Sequence, residues 1–112
     1  MKHVTVGEKA LLMGDDAADT LMEYARLLSD TSAADTVTLR AISPDGNTVD
    51  VAFLLNASTV MLVESTNTDV DPPANEEAVQ EMRDRIDAIT RPSSAIVDDG
   101  WEGLDEGIAE AL

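Results

Sequence analysis

The chain holds one histidine, His3, and no cysteine. A histidine relay and a multi-histidine or thiolate metal site are therefore both out of reach within one chain. Carboxylate chemistry remains, because a pair of Asp or Glu side chains can serve as acid and base when an apolar pocket or a like charge separates their pKa values. Glu64 is the acid that the strand pattern below directs toward the core face, so it is the candidate for such a role. Its competing reading is a strand-end carboxylate that reaches solvent. His3, at the start of a terminal strand, reads as an ordinary surface residue.

Two further patterns have chemical meaning. Asn67-Thr68-Asp69-Val70-Asp71 alternates oxygen ligands as the opening of a calcium loop does, but the sixth position is Pro72, where the tight turn needs glycine. The twelfth is Ala78, where a bidentate Glu is required, so no specific calcium site is expected. Near the C-terminus, Trp101, Leu104, Ile108 and Leu112 recur at steps of three, four and four among acids. An aromatic flanked by aliphatics on one helical face is an anchor for a partner or for the protein's own core. No glycine-rich phosphate loop and no cofactor motif is present, and no cofactor is expected.

Charge narrows the classes further. The 112 residues carry 23 acidic against 7 basic side chains, a net of -16. Nucleic acid recognition rests on Lys and Arg neutralising phosphates, so a nucleic acid partner is excluded. The acidity is densest in residues 93–112, which hold six acids and no base. No apolar run is long enough to span a bilayer, and no basic segment leads into an apolar one at the N-terminus. A cytoplasmic, membrane-free protein is expected. Acidity of this degree speeds association with a basic partner, and it is equally the mark of a soluble or salt-adapted chain.

The elements that must position these residues read as follows. His3–Val6 and Ala10–Met13 form two short strands around Gly7-Glu8-Lys9. Residues 15–28 form a helix with Ala18, Leu21, Met22, Ala25 and Leu28 on one face, capped by Asp15 or Asp16. Residues 36–42 and 48–55 alternate as strands around Ser43-Pro44-Asp45-Gly46-Asn47. Pro and Asp suit the centre of a type I turn there, and Gly suits a left-handed bulge position. That loop pairs positions summing to 90, which places Val37 by Phe53, Leu39 by Val51, Ala41 by Val49, and Arg40 across from Asp50. The charged pair adds roughly 0.2–1 kcal/mol. Residues 59–65 form a third strand, and a two-residue turn at Asn56-Ala57-Ser58 would make a meander with Leu54 beside Met61. Leu54, Met61 and Val63 then share an apolar back face, a candidate self-association surface. Residues 75–90 form a second helix capped by Asn75, with Val79, Met82, Ile86 and Ile89 buried, Glu81 paired with Arg85, and Pro92 as terminator.

The expected fold is therefore α+β: an antiparallel sheet built on the 36–42, 48–55, 59–65 meander, extended by N-terminal strands, with both helices packed on it. Residues 1–92 form the domain and 93–112 an acidic amphipathic tail. The order helix, three-stranded meander, helix, together with the acidity, resembles small secretion chaperones in architecture. The expected function is a non-catalytic protein-interaction module, chaperone-, immunity- or adaptor-like, taking a basic protein or a second copy of itself. The alternative is a small-ligand binder or carboxylate-dependent enzyme with its site between sheet and helices.

Overall fold

The computed structural model describes residues 1–91. The elements run β1 (Lys2–Val6), β2 (Lys9–Met13), α1 (Asp15–Asp30), β3 (Asp35–Ile42), β4 (Thr48–Leu55), β5 (Met61–Ser65) and α2 (Glu76–Thr90). The five strands make one antiparallel sheet in the order β4-β3-β2-β1-β5, and both helices pack on its core face, as an α+β architecture requires.

The β3–β4 hairpin has the expected register throughout, from Asp35 opposite Leu55 to Ile42 opposite Thr48. Its loop is held by the Gly46 N–H donating to the Ser43 carbonyl at 2.9 Å, with Gly46 at φ +90. The Asp45 carboxylate closes the same loop by accepting from the Asn47 N–H at 3.1 Å and from the Ser43 hydroxyl. Its carboxyl is held below the usual range, chiefly by that hydroxyl. The β1–β2 hairpin turns through Gly7 at φ +63, where a side chain would be strained.

The third strand goes elsewhere than the meander predicts. β5 pairs with β1 at the far edge, with Val4 opposite Val63 and Val6 opposite Met61. The turn expected after β4 does form, since the Thr59 N–H donates to the Asn56 carbonyl at 3.1 Å. The chain then crosses to the edge that β1 leaves unpaired, where Met61 and Val63 face the helices beside Val4. This crossing also shapes the sheet. Thr48, Ile42, Leu12, His3 and Glu64 lie in one cross-strand row. Leu55 is seven positions beyond that row and Met61 three positions before it. Laid flat, the two would be roughly 38 Å apart, counting strand rise and spacing. Six residues of chain reach only about 20 Å. The sheet must therefore curl, and its concave side holds the helices.

That concave side carries the core: Val4, Leu11, Met13, Val37, Leu39, Phe53 and Leu55 from the strands meet Leu21, Tyr24, Leu28, Val79, Met82 and Ile86 from the helices. Each large side chain removed from water contributes about 1.5–3 kcal/mol. α1 runs two residues beyond its expected end and stops in a Schellman motif. The Ala33 N–H reaches the Leu28 carbonyl at 2.9 Å, the Ser32 N–H reaches the Ser29 carbonyl at 3.3 Å, and Ser32 adopts φ 55. Neither Asp caps its start: Gly14 is the N-cap, and Asp15 instead meets the N-terminal ammonium at 3.1 Å.

Candidate functional site

Asn75 is the N-cap residue of α2, as expected, but its side chain makes no capping hydrogen bond. Its side-chain amide turns to the strand instead, where Oδ1 accepts from the Arg40 N–H at 2.8 Å and Nδ2 donates to the Arg40 carbonyl at 2.9 Å. The reason lies in the sheet. β2 meets β3 at a single pair, Leu12 with Ile42, so the Arg40 backbone groups beyond it have no strand beside them. A primary amide presents the same donor and acceptor as a peptide and stands in for the missing strand.

A second fastening holds the other end of β3. Asp35 Oδ2 accepts from the Tyr24 hydroxyl at 2.5 Å and from Arg85 Nη1 at 2.6 Å, while Oδ1 accepts from the Thr36 N–H at 2.8 Å. Arg85 also reaches Glu81 at 3.0 Å, the helical pair expected from the spacing. The Tyr24 hydrogen bond, helped by the Thr36 N–H and the Arg85 charge, holds the Asp35 carboxyl below the usual range. Burial, and then Asp35, push the Tyr24 phenol up. Both shifts favour the charged acid and the neutral phenol, which is the pairing that locks α1, β3 and α2 together. A general base poised near neutral pH needs the opposite shift. This site was not among the sequence expectations; the one available signal is Tyr24, three residues after Leu21 on the buried helix face, since a buried phenol needs a polar partner.

The residues singled out from sequence are scattered. Leu54 is 64% exposed on the outer face of β4, whereas Met61 and Val63 are half-buried on the core face of β5. The three therefore do not form one surface, because the strand that carries two of them lies on the opposite edge. Leu62, not Met61, is the outward-facing apolar residue of β5, at 54% exposure. Glu64 likewise points outward, opposite His3 in the ladder, and not into the core. Trp101, Leu104, Ile108 and Leu112, with the whole of 93–112, lie outside the described residues. Among the described residues no group of three or more His, Asp or Glu side chains is placed to hold a metal ion. No described helix is long and apolar enough to cross a membrane.

One feature of the fold does point outward. In the β3–β4 ladder the Ser43 N–H donates to the Asn47 carbonyl, which makes the odd-numbered residues of β4 the ones bonded to β3. Thr48, Asp50, Ala52 and Leu54 consequently direct their backbone groups away from the sheet, along an edge that no described strand covers. The Leu54 carbonyl alone has a partner there, the Thr59 hydroxyl at 3.0 Å. The edge strand is eight residues of Thr-Val-Asp-Val-Ala-Phe-Leu-Leu. It contains no proline, glycine or lysine, the residues that usually blunt an edge. Its single charge, Asp50, is answered by Arg40 at 3.5 Å. The helices differ sharply: α1 carries five acids against one base, and α2 five against two.

Elsewhere, a cleft of about 610 Å³ opens between the first turns of α1 and α2, with Asp15, Asp16, Pro72, Glu76 and Arg83 among its lining residues. Comparison with protein-family models, curated proteins and solved structures found no match to this chain.

Proposed function

We propose that this protein is a non-catalytic interaction module that docks a strand of a protein partner along the free edge of β4. The observation that supports this reading is the unblunted eight-residue edge, whose outward N–H and C=O groups match those of any extended chain. The two fastenings described above hold β3, and through it β4, so the edge is presented on a rigid element. The acidic helices speed the approach of a basic partner. The tail residues Trp101, Leu104, Ile108 and Leu112, which lie outside the described residues, are the second candidate anchor in this reading.

The test is capture from native lysate at low and moderate salt, comparing tagged full-length protein with Ala52→Pro and Trp101→Ala. Proline at 52 removes an outward N–H without touching the bonds to β3. Loss of capture in Ala52→Pro is expected. Capture that depends on Trp101 alone would move docking to the tail, and capture unaffected by either change would refute the reading.

The second reading, a small-ligand binder, is favoured by the cleft between the two helix starts. A thermal-shift screen with metals, nucleotides and metabolites decides it. A ligand at 100 times its dissociation constant adds roughly 2.7 kcal/mol, a shift of several degrees for a chain of this size. A flat screen is expected.

A further inference from the structure

We propose that the strand taken up by β4 is the β4 strand of a second copy, antiparallel, with the two-fold axis passing through Ala52. The inference rests on the docking-edge reading above and names its occupant.

Parity limits the choices. The outward groups belong to even-numbered residues, and a two-fold antiparallel pair must place even opposite even if the apolar faces are to stay on one side. Near the middle of the strand this leaves two registers. With the axis at Ala52, Asp50 faces the copy's Leu54, Val51 faces its Phe53, and Val49 faces its Leu55. With the axis at Val51, Asp50 faces the copy's Ala52.

Charge separates the two. In the first register the two Asp50 positions lie about 14 Å apart, and in the second about 8 Å, from strand rise and spacing. The Debye length at physiological salt is about 8 Å. The first register therefore screens the two carboxylates from each other, and Arg40 neutralises each within its own chain.

The same register is self-complementary in shape. Phe53 and Leu55 are buried at 4% and 0% exposure, whereas Val49 and Val51 are half-buried on the same side of the strand. The copy brings its Phe53 beside Val51 and its Leu55 beside Val49, extending the core across the junction. Alanine, with the smallest side chain of the strand, stands where the two chains are closest to the axis.

On the edge itself, charge gives a basic strand no advantage over a copy. A basic strand would find on this edge one carboxylate, already paired. A copy meets the least charged part of a chain whose net charge is -16, with the acid-rich helices set back on the concave face of each sheet.

The absence of cysteine makes the test clean, because each substitution introduces the only thiol in the chain. In this register the two residues 52 form a hydrogen-bonded pair with Cα atoms about 5.5 Å apart, inside the disulfide range of about 4.4–6.8 Å. Thr38, opposite Ala52 on β3, is one strand further in and about 14 Å from its mate. The full-length chain bearing Ala52→Cys is expected to form a disulfide-linked dimer under mild oxidation, at least tenfold faster than the Thr38→Cys chain. Wild-type protein should show a concentration-dependent monomer–dimer equilibrium by sedimentation, and Ala52→Pro should be monomeric with unchanged circular dichroism.

Equal cross-linking of the two cysteine variants, or a wild-type monomer at all concentrations, would overturn the proposal. A monomer whose lysate capture still vanishes in Ala52→Pro would leave the docking edge standing and remove only the second copy. A dimer that persists in Ala52→Pro would place self-association away from β4 and overturn the second copy as its occupant. A monomer whose Thr48, Asp50 and Ala52 amides are protected would assign the edge to another segment of the same chain.

Discussion

β5 and β4 finish the same sheet in different ways. β5 is five residues long, ends in Glu64 and Ser65, and gives way to a polar loop that passes over Gly14, where a side-chain carbon would meet Pro72 Cβ at a tight 3.2 Å. β4 is eight residues long, carries one neutralised charge and extends well beyond the row it shares with β5. Short length and charge protect an edge from adventitious pairing; a long edge with neither is open to it. The proposed docking site is therefore on β4, whereas β5 packs Met61 and Val63 on the core.

The largest expected effect tests whether β4 is fixed from beneath while free at its side. Leu55 is wholly buried and its neighbour Leu54 is 64% exposed. Leu55→Ala should cost about 2–5 kcal/mol by urea unfolding, and Leu54→Ala within about 0.5 kcal/mol in the dilute monomer. Similar costs for both would mean that the outer side of β4 is already covered.

Next come the fastenings that hold β3 beneath β4. Tyr24→Phe leaves the Asp35–Arg85 pair without its third member and should cost about 1–3 kcal/mol. The Asp35 carboxyl is held below its ordinary value, so its contribution is complete above the unfolded pKa of about 3.9 and is lost as pH falls through the folded value. The Tyr24 phenol is raised, so its contribution is complete below about 10 and is lost as pH rises through the folded value. Stability of wild type minus Tyr24→Phe should therefore be flat between about pH 5 and 9 and narrow on either side. A difference that peaks inside that window would contradict the assigned pairing.

The smallest effect sharpens the role of Asn75. Aspartate serves as well as asparagine at a helix N-cap, but it has no N–H to give the Arg40 carbonyl. Asn75→Asp and Asn75→Ala should therefore each destabilise by about 1 kcal/mol. An unchanged Asn75→Asp midpoint would return the residue to a capping role.

How much of this could be read in advance divides along the same line as the two edges. The β3–β4 hairpin was legible to the residue because its evidence is local: Pro44, Asp45 and Gly46 dictate the turn, and the apolar alternation on both sides agrees with the register the turn imposes. The partner of β5 was not, because alternation in Met61-Leu62-Val63 says that one face is buried without saying beside which strand. The wrong edge then produced the wrong faces for Met61, Val63 and Glu64. The helices and most of their buried stripes were legible from periodicity, although Met22 and Ile89 are only half-buried and the buried Tyr24 and Leu27 were missed. The partners of Asn75 and Asp35 were not, since both bonds cross between elements far apart in the chain. The free edge became visible only once the strand order was known. The expected anchor at Trp101 lies outside the described residues.

The most direct test of the docking edge is residue-resolved amide hydrogen exchange of the full chain at low and high protein concentration. The N–H groups of Val49, Val51 and Phe53 bond to β3 and should exchange slowly at both. Those of Asp50, Ala52 and Leu54 point outward and should exchange rapidly when dilute, then become protected as the copies pair. Outward amides that exchange rapidly at every concentration, with or without a captured partner, would contradict the claim that β4 is where this protein binds.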